Sequence, residues 1–218
     1  MRPEDIEALS FEIIEAEAGA HSFLREQWQI VRRMIHTTAD FDWMQTVRFH
    51  PKAVSAGIDA VRSGKPIVTD THMAASGINR MRLSEYGTAI HCLVDDPRVV
   101  EQARKAATTR SLAAVDHAVS QFPEAVFVIG NAPTALLRLI EHIRSGSAAP
   151  ALVIGLPVGF VQAAESKAEL MKLDRPFITN VGRKGGSAVA ASVVNALTLL
   201  ARPAAGPTGS SCAGCGVI

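Results

Sequence analysis

The spacing of apolar residues predicts three helices in the first 63 residues of the chain. Apolar side chains recur at helical intervals within residues 3–17, 26–35 and 52–63. Residues 40–51 show neither the helical nor the strand period, and we expect them to be irregular. The second helix ends next to His36, so a titratable side chain is expected at the end of an element.

From residue 66 onward, short apolar runs alternate with helical patterns. The runs predict strands at residues 66–70, 89–94, 125–130, 151–156 and 177–181. The predicted helices lie at residues 74–83, 97–119, 133–145, 161–173 and 187–201. This alternation is typical of a parallel sheet built from βαβ units, and the uninterrupted apolar runs indicate burial on both sheet faces. We predict one three-layer α/β/α, flavodoxin-like domain with a five-stranded parallel sheet over residues 1–201, followed by a flexible tail at residues 202–218.

Composition supports an ordinary globular protein with one large core. The chain has 218 residues, of which 48% are hydrophobic and 20% charged, and its net charge of +1 provides no general attraction to nucleic acid or to an anionic membrane. Two uncharged runs, residues 145–164 and 185–201, contain glycine, proline or polar residues and are expected to lie in the core rather than to span a membrane. The first residues lack the order of a secretory signal, so a cytoplasmic location is expected.

The three cysteines do not predict a metal or redox site. Cys92 lies in a predicted strand and is expected to act as a small apolar residue. Cys212 and Cys215 form a C-x-x-C pair in the tail, which supplies neither four zinc ligands nor the helix start of a redox motif. We therefore assign no metal to the chain.

The carboxyl ends of the predicted strands are rich in glycine, proline and small polar residues. Ligands of open α/β sheets bind at this edge. In the loop of residues 182–187, Arg183 and Lys184 precede Gly185 and Gly186 at the start of a helix, which indicates a site for an anion such as a carboxylate. The alternative is a tight turn in which the glycines serve only backbone geometry. The spacing is not that of a phosphate-binding loop, so a nucleotide-binding module has no specific support.

The stretch from Ile30 to Asp40 is the candidate for proton chemistry. His36 follows the pair Arg32 and Arg33, and histidine is the side chain that most readily gives and takes a proton near neutral pH. The pair is expected to disfavour the imidazolium until an anionic substrate offsets its charge. A packed, hydrogen-bonded histidine without catalytic function is the alternative.

Five blocks together resemble the precorrin-8X methylmutase family of cobalamin biosynthesis, and the resemblance covers about residues 3–201. The blocks are Val31–Asp40, Ile67–Thr71, Ile129–Leu136, Pro150–Val161 with Ala163–Lys167, and Gly182–Ser187.

The resemblance implies a homodimer with the active site between subunits and no cofactor or metal. The implied reaction moves a methyl group within ring C of precorrin-8X, giving hydrogenobyrinic acid, or acts on the cobalt-bearing counterpart, cobalt-precorrin-8. The family's catalytic histidine falls on His36, and its substrate-contacting serine and arginine fall on Ser10 and Arg33. We add Arg110, Arg183 and Lys184 as candidates for binding the peripheral carboxylates. The competing hypothesis is a non-catalytic carrier of tetrapyrroles that uses the same cleft.

Overall fold

The computed structural model describes residues 2–203, which form eleven helices and six strands. The helices are α1 (Pro3–Ala18), α2 (Arg25–Thr38), α3 (Trp43–Thr46), α4 (Ala53–Arg62), α5 (His72–Gly77), α6 (Arg80–Ser84), α7 (Pro97–Lys105), α8 (Arg110–Gln121), α9 (Pro133–Arg144), α10 (Ala163–Leu170) and α11 (Ser187–Leu200). The strands are β1 (Val47–Phe49), β2 (Ile67–Thr69), β3 (Ile90–Cys92), β4 (Val126–Ile129), β5 (Leu152–Gly155) and β6 (Phe177–Asn180).

The sheet is mixed and has six strands in the order β1-β6-β5-β4-β2-β3. The five predicted strands are present and run parallel to their neighbours, whereas β1 pairs antiparallel to β6. The prediction of a purely parallel, five-stranded sheet was therefore wrong. A strand of three residues spans little more than one alternation of side chains, and here only Val47 is buried. Such a strand forms by pairing with β6 and leaves no periodic signal in the sequence.

Helices cover both faces of the sheet. In β4, Val126 and Val128 face the core that α2, α4 and α11 close. Phe127 and Ile129 face the opposite core, closed by α8, α9 and α10. Side chains alternate along each strand, so one apolar run supplies both cores.

Two predicted helices are each divided in two. Residues 74–83 break before Asn79, whose side-chain Oδ1 accepts the Arg82 N–H at 3.1 Å and caps α6. Residues 97–119 break at Ala107, which has a φ of 49°. The Thr109 hydroxyl then caps α8 by accepting the Leu112 N–H at 3.2 Å. Both breaks are therefore stabilised by a capping side chain at the start of the next helix.

Helix α2 is a core helix and ends three residues later than predicted. Ile30, Val31, Met34 and Ile35 are at most 1% exposed. After Thr38, the next residue takes a left-handed conformation, and its N–H donates to the Ile35 carbonyl at 2.7 Å. His36 therefore lies in the last turn of α2, on the face opposite the core.

Three sequence predictions concern membranes and cysteines. Within residues 2–203, no helix combines the length and the apolar character needed to cross a bilayer. Cys92 lies half-buried in β3, and burial raises the pKa of its thiol. The predicted flexible tail lies outside the described residues except for its first two residues, and so do Cys212 and Cys215.

Asp70 joins two strands at the carboxyl edge of the sheet. It follows β2, and its carboxylate accepts the N–H groups of Gly130, Asn131 and Ala132 at 3.0, 2.7 and 2.8 Å. Burial raises the pKa of the carboxyl group, while these three donors act in the opposite direction. Asp70 thus ties the end of β2 to the segment that follows β4.

Asp70→Asn should lower the free energy of unfolding by roughly 2 kcal/mol, because the amide NH₂ replaces an acceptor that faces N–H donors. Urea unfolding, with an unchanged dependence on urea concentration, measures the loss. Asp59→Asn, on the exposed face of α4, is the control. Equal unfolding midpoints for the two variants would contradict the assignment.

Candidate active site

Ser10 and His36 line the same groove between α1 and α2. The groove has a volume of about 370 Å³. Its polar groups include Ser10, Glu17 and His36, and its apolar walls include Ile13, Ile35 and Phe41. The Ser10 hydroxyl donates to the Ile6 carbonyl at 2.9 Å, which leaves its oxygen lone pairs free to accept from a ligand. Two residues 26 positions apart in sequence thus line one groove.

Phe11 brings His36 and both arginines of α2 together. Its ring centroid lies 5.1 Å from that of His36, with the planes tilted by 44°. The guanidinium carbons of Arg32 and Arg33 lie 4.4 and 5.1 Å from the same centroid. One ring of α1 therefore packs against the imidazole and both cations of α2.

Both arginines are paired with carboxylates of α1. Arg32 donates to Glu15 at 2.6 Å, and Arg33 donates to Glu7 at 2.8 Å. The Trp28 indole N–H also donates to the Glu15 carboxylate, at 2.9 Å. These contacts fasten α1 to α2, and the carboxylates compensate the positive charge that the sequence places next to His36.

The loop of residues 182–186 reaches the same end of α2. The Lys184 ammonium donates to the carboxylates of Asp40 and Asp42, both at 2.6 Å. The ion pairs raise the pKa of Lys184, and the Lys184 hydrogen bond lowers that of Asp40. Arg183 lies with its guanidinium carbon 5.5 Å from the ring centroid of the exposed Phe160. Lys184 therefore links the carboxyl end of β6 to the segment that follows His36.

The glycines of this loop serve close backbone packing. A Cβ on Gly185 would collide with the Leu156 carbonyl oxygen. The Gly186 N–H donates to that same oxygen at 2.9 Å, so it is not free for an anion. The predicted anion site at this helix start therefore lacks the Gly186 amide, and the turn alternative describes the backbone better. The two cationic side chains, Arg183 and Lys184, remain exposed.

Lys167, which the sequence analysis did not select, is buried behind the loop. Its relative exposure is 0%. The amine donates to the Asn180 side-chain oxygen at 3.0 Å and to the Lys184 carbonyl at 2.7 Å. Burial lowers the pKa of the amine to about 8. A group with this pKa exchanges its proton far more readily near neutrality than an ordinary lysine does.

Arg110 lies apart from the groove. It starts α8 and donates to Asp95 at 2.8 Å, while His72 contacts the same carboxylate at 2.9 Å. β3, which precedes Asp95, is four strand intervals from β6, or roughly 19 Å at normal strand spacing. Within one subunit, Arg110 and the loop that carries Lys184 therefore lie at opposite ends of the sheet.

Several residues in or next to the groove have no signal in the sequence. Phe11, Glu7 and Glu15 lie on α1 and are ordinary helical residues until their partners on α2 are known. Phe41 lies in a segment predicted to be irregular. Only helical spacing, which puts Glu7 and Ser10 three residues apart on one helix, favours a shared face.

Among residues 2–203, no group of three or more His, Cys, Asp and Glu side chains is arranged to hold a metal ion.

Fold and groove define an α/β protein with an exposed histidine in a groove that has apolar walls. A family model described as precorrin-8X methylmutase matches residues 5–200. A cobalt-precorrin-8 methylmutase of Priestia megaterium is 50% identical over 201 residues, covering 92% of this chain and 89% of the relative. A precorrin-8X methylmutase of Sinorhizobium sp. is 40% identical, covering 89% and 91%. The chain belongs to the precorrin-8X methylmutase family and is an isomerase of cobalamin biosynthesis.

A solved structure agrees with this assignment. The crystal structure of a precorrin-8x methyl mutase from Thermus thermophilus superposes with a TM-score of 0.84 at 44% identity, covering 90% of this chain and 96% of that one. The comparisons give no support to the carrier alternative.

The free energy of unfolding should rise with pH between about 8 and 10.5, relative to that of the variant Lys167→Met. In this window the unfolded chain holds a proton on Lys167 that the folded chain has released, because burial lowers the pKa of Lys167 from 10.5 to about 8. Across this pH window, the free energy of unfolding relative to Lys167→Met should rise by a total on the order of 3 kcal/mol. Urea unfolding of both proteins from pH 7 to 10.5 measures it, and a difference independent of pH would contradict the assignment.

Proposed function

We propose that the chain moves a methyl group within ring C of precorrin-8X, or of cobalt-precorrin-8, with His36 as proton donor and acceptor. The observation that supports this most is the shared groove of Ser10 and His36 in a chain of this family. The product is hydrogenobyrinic acid or its cobalt-bearing equivalent, cobyrinic acid. Relatives are named for both substrate forms, so assays with each form decide between them.

The methyl shift is an isomerisation and needs only polarisation of the conjugated ring. The imidazolium of His36 donates a proton to the ring C nitrogen, the methyl group migrates with its bonding electron pair to the adjacent carbon, and His36 takes the proton back. Such positioned proton transfer contributes roughly 10²–10⁴-fold. The last turn of α2 suits this function, because the carboxyl end of a helix stabilises a nearby cation. No redox partner, methyl donor or metal enters the proposed step.

Substrate carboxylates bind to cations around the groove. Arg33 lies three residues before His36 on α2, and its side chain is 17% exposed. Arg183 and Lys184 lie on the adjoining loop and are exposed. In the proposed complex, Arg33 and Lys184 exchange or share their present carboxylate partners with the substrate. Arg110 contributes only if a second subunit brings it to the groove.

We propose that the protein works as a homodimer with the groove at the subunit interface. Ile6, Leu9 and Ile13 form an apolar stripe on α1 and are 51%, 43% and 49% exposed. Ile13 also lines the groove. A site of 370 Å³ is near the lower limit for drug-sized ligands, whereas a tetrapyrrole with peripheral acid groups is larger. A second subunit on the stripe would complete the enclosure.

Sedimentation should give the mass of a dimer for the native protein and of a monomer for Leu9→Asp, because a charge in an apolar interface is strongly unfavourable. The variant should also lose most of its activity. Lys52→Asp, at the exposed start of α4 and outside the apolar stripe, is the control for added negative charge. A monomeric native protein with full turnover would contradict the proposal.

The proposal also assigns residues 1–201 to a single three-layer, flavodoxin-like domain and the protein to the cytoplasm. The strand order supports the fold class: counted among themselves, the five parallel strands follow the order 2-1-3-4-5, as in flavodoxin. The helices on both faces agree with it.

His36→Ala should leave folding and corrinoid binding intact and reduce turnover by at least 10²-fold, because the general acid is removed. Rearrangement changes the conjugated system, so absorbance follows it directly. His117→Ala, on α8 away from the groove, is the matched control. Full turnover by His36→Ala would exclude His36 from the mechanism, and a one-to-one colour change by the native protein would favour a carrier.

Arg33→Ala should raise KM by about 10-fold or more with a smaller effect on kcat, since it removes a charge-assisted contact to a carboxylate. Glu7→Gln is the control, because it breaks the same ion pair with α1 and keeps the guanidinium. If both variants raise KM equally, the tether between helices explains the effect. If neither changes KM or kcat, Arg33 does not bind the substrate.

A further inference from the structure

The most unusual buried group outside the groove is the amine of Lys167. The side chain lies on α10 and is 0% exposed, among the largest fully buried side chains of the described residues. Within residues 2–203, no carboxylate forms an ion pair with it. Burying an amine without a counter-charge costs several kcal/mol when it is protonated. An apolar side chain would avoid this cost, so we attribute the presence of the amine to the hydrogen bonds that it donates.

These hydrogen bonds form a closed triangle, which we call the loop anchor. It consists of the Lys167 amine, the Asn180 side-chain amide and the Lys184 carbonyl. Lys167 donates to the Asn180 oxygen at 3.0 Å and to the Lys184 carbonyl at 2.7 Å, while the Asn180 NH₂ donates to the same carbonyl at 3.0 Å. Two N–H groups of the amine therefore have acceptors within the triangle.

The loop anchor fixes the backbone from which both loop cations project. Next to it, the Arg183 carbonyl accepts the Gly159 N–H at 3.2 Å, and the Gly186 N–H donates to Leu156 at 2.9 Å. In front of it, the Lys184 side chain contacts Asp40 and Asp42 at 2.6 Å. Asp40 follows Ala39, which lines the His36 groove. Contacts are thus continuous from Lys167 through Lys184 to the groove wall.

We propose that Lys167 is a positioning residue for substrate binding, which holds the loop of residues 182–186 so that Arg183 and Lys184 meet the carboxylates of a substrate bound at His36. This inference rests on the proposed function. Lys167 touches no substrate, and the proton on His36 does not pass through it. Its loss should therefore weaken binding and leave the chemical step nearly unchanged, because only contacts to the loop depend on it.

Two measurements test this with Lys167→Met, a variant of similar length that removes the donors. The matched control is Lys172→Met, which removes an exposed lysine that pairs with Glu169. In steady-state kinetics, we expect KM to rise at least 10-fold for Lys167→Met with kcat within about 3-fold of native, and no change for the control. In amide hydrogen exchange without substrate, we expect the Gly159 and Gly186 amides to exchange at least 10-fold faster in Lys167→Met only.

The two measurements separate failure of this proposal from failure of the proposed function. Suppose that the Gly159 and Gly186 amides exchange faster in Lys167→Met but the native protein does not rearrange precorrin-8X. The loop anchor then stands, and the proposed function is overturned. Native exchange rates and native KM in Lys167→Met would overturn the positioning proposal while His36 chemistry stands. If Lys167→Met does not fold, Lys167→Gln, which keeps one donor group, should give smaller shifts of the same sign. A fall in kcat with an unchanged KM, in either Lys167→Met or Lys167→Gln, would also overturn the positioning proposal.

Discussion

Burial of one face of α2 is the constraint on which the candidate active site depends. Ile30, Val31, Met34 and Ile35 are at most 1% exposed, so the helix can neither rotate nor slide without opening the core that it shares with α11 and the sheet. His36, the next residue, must then point out of the core into the groove. The proposed acid–base group is thus positioned by packing of its neighbours, and within residues 2–203 no hydrogen bond occupies its ring.

The rest of the site is attached to this fixed helix by charged contacts. Helix α1 is fastened through Glu7 and Glu15, and the loop after β6 through Lys184. Such partly exposed pairs are individually weak, which agrees with the proposal that these cations exchange protein carboxylates for those of a substrate. The buried core provides rigidity under the imidazole, while the exposed ion pairs provide cations that a polyanionic ligand can recruit. The apolar stripe of α1 beside them is available to a second subunit.

The sequence predicts those parts of the fold that local patterns determine. Five strands are predicted because each lies in a short run rich in apolar residues, and four of them, β2, β4, β5 and β6, are buried between the two helical layers. β1 is missed, since three residues paired only with β6 show no period. The breaks before Asn79 and Thr109 depend on capping contacts that compete with helical spacing. At the site, His36 is a candidate from its own stretch and from the family resemblance, Ser10 is a candidate from the resemblance alone, and both line the groove. Lys184 and Asp40 are separated by 144 residues along the chain. Their ion pair cannot be predicted from sequence, because separation along the chain does not indicate which charged side chains are neighbours in the fold.

The most direct test of the account is a crystal structure of the protein with hydrogenobyrinic acid. The account predicts that the ring C nitrogen lies within about 2.6–3.2 Å of an imidazole nitrogen of His36, the distance needed for proton transfer. It also predicts that the peripheral carboxylates lie against Arg33 and the loop of Arg183 and Lys184. A product bound with ring C directed away from His36, or bound outside the groove of Ser10, would contradict the account.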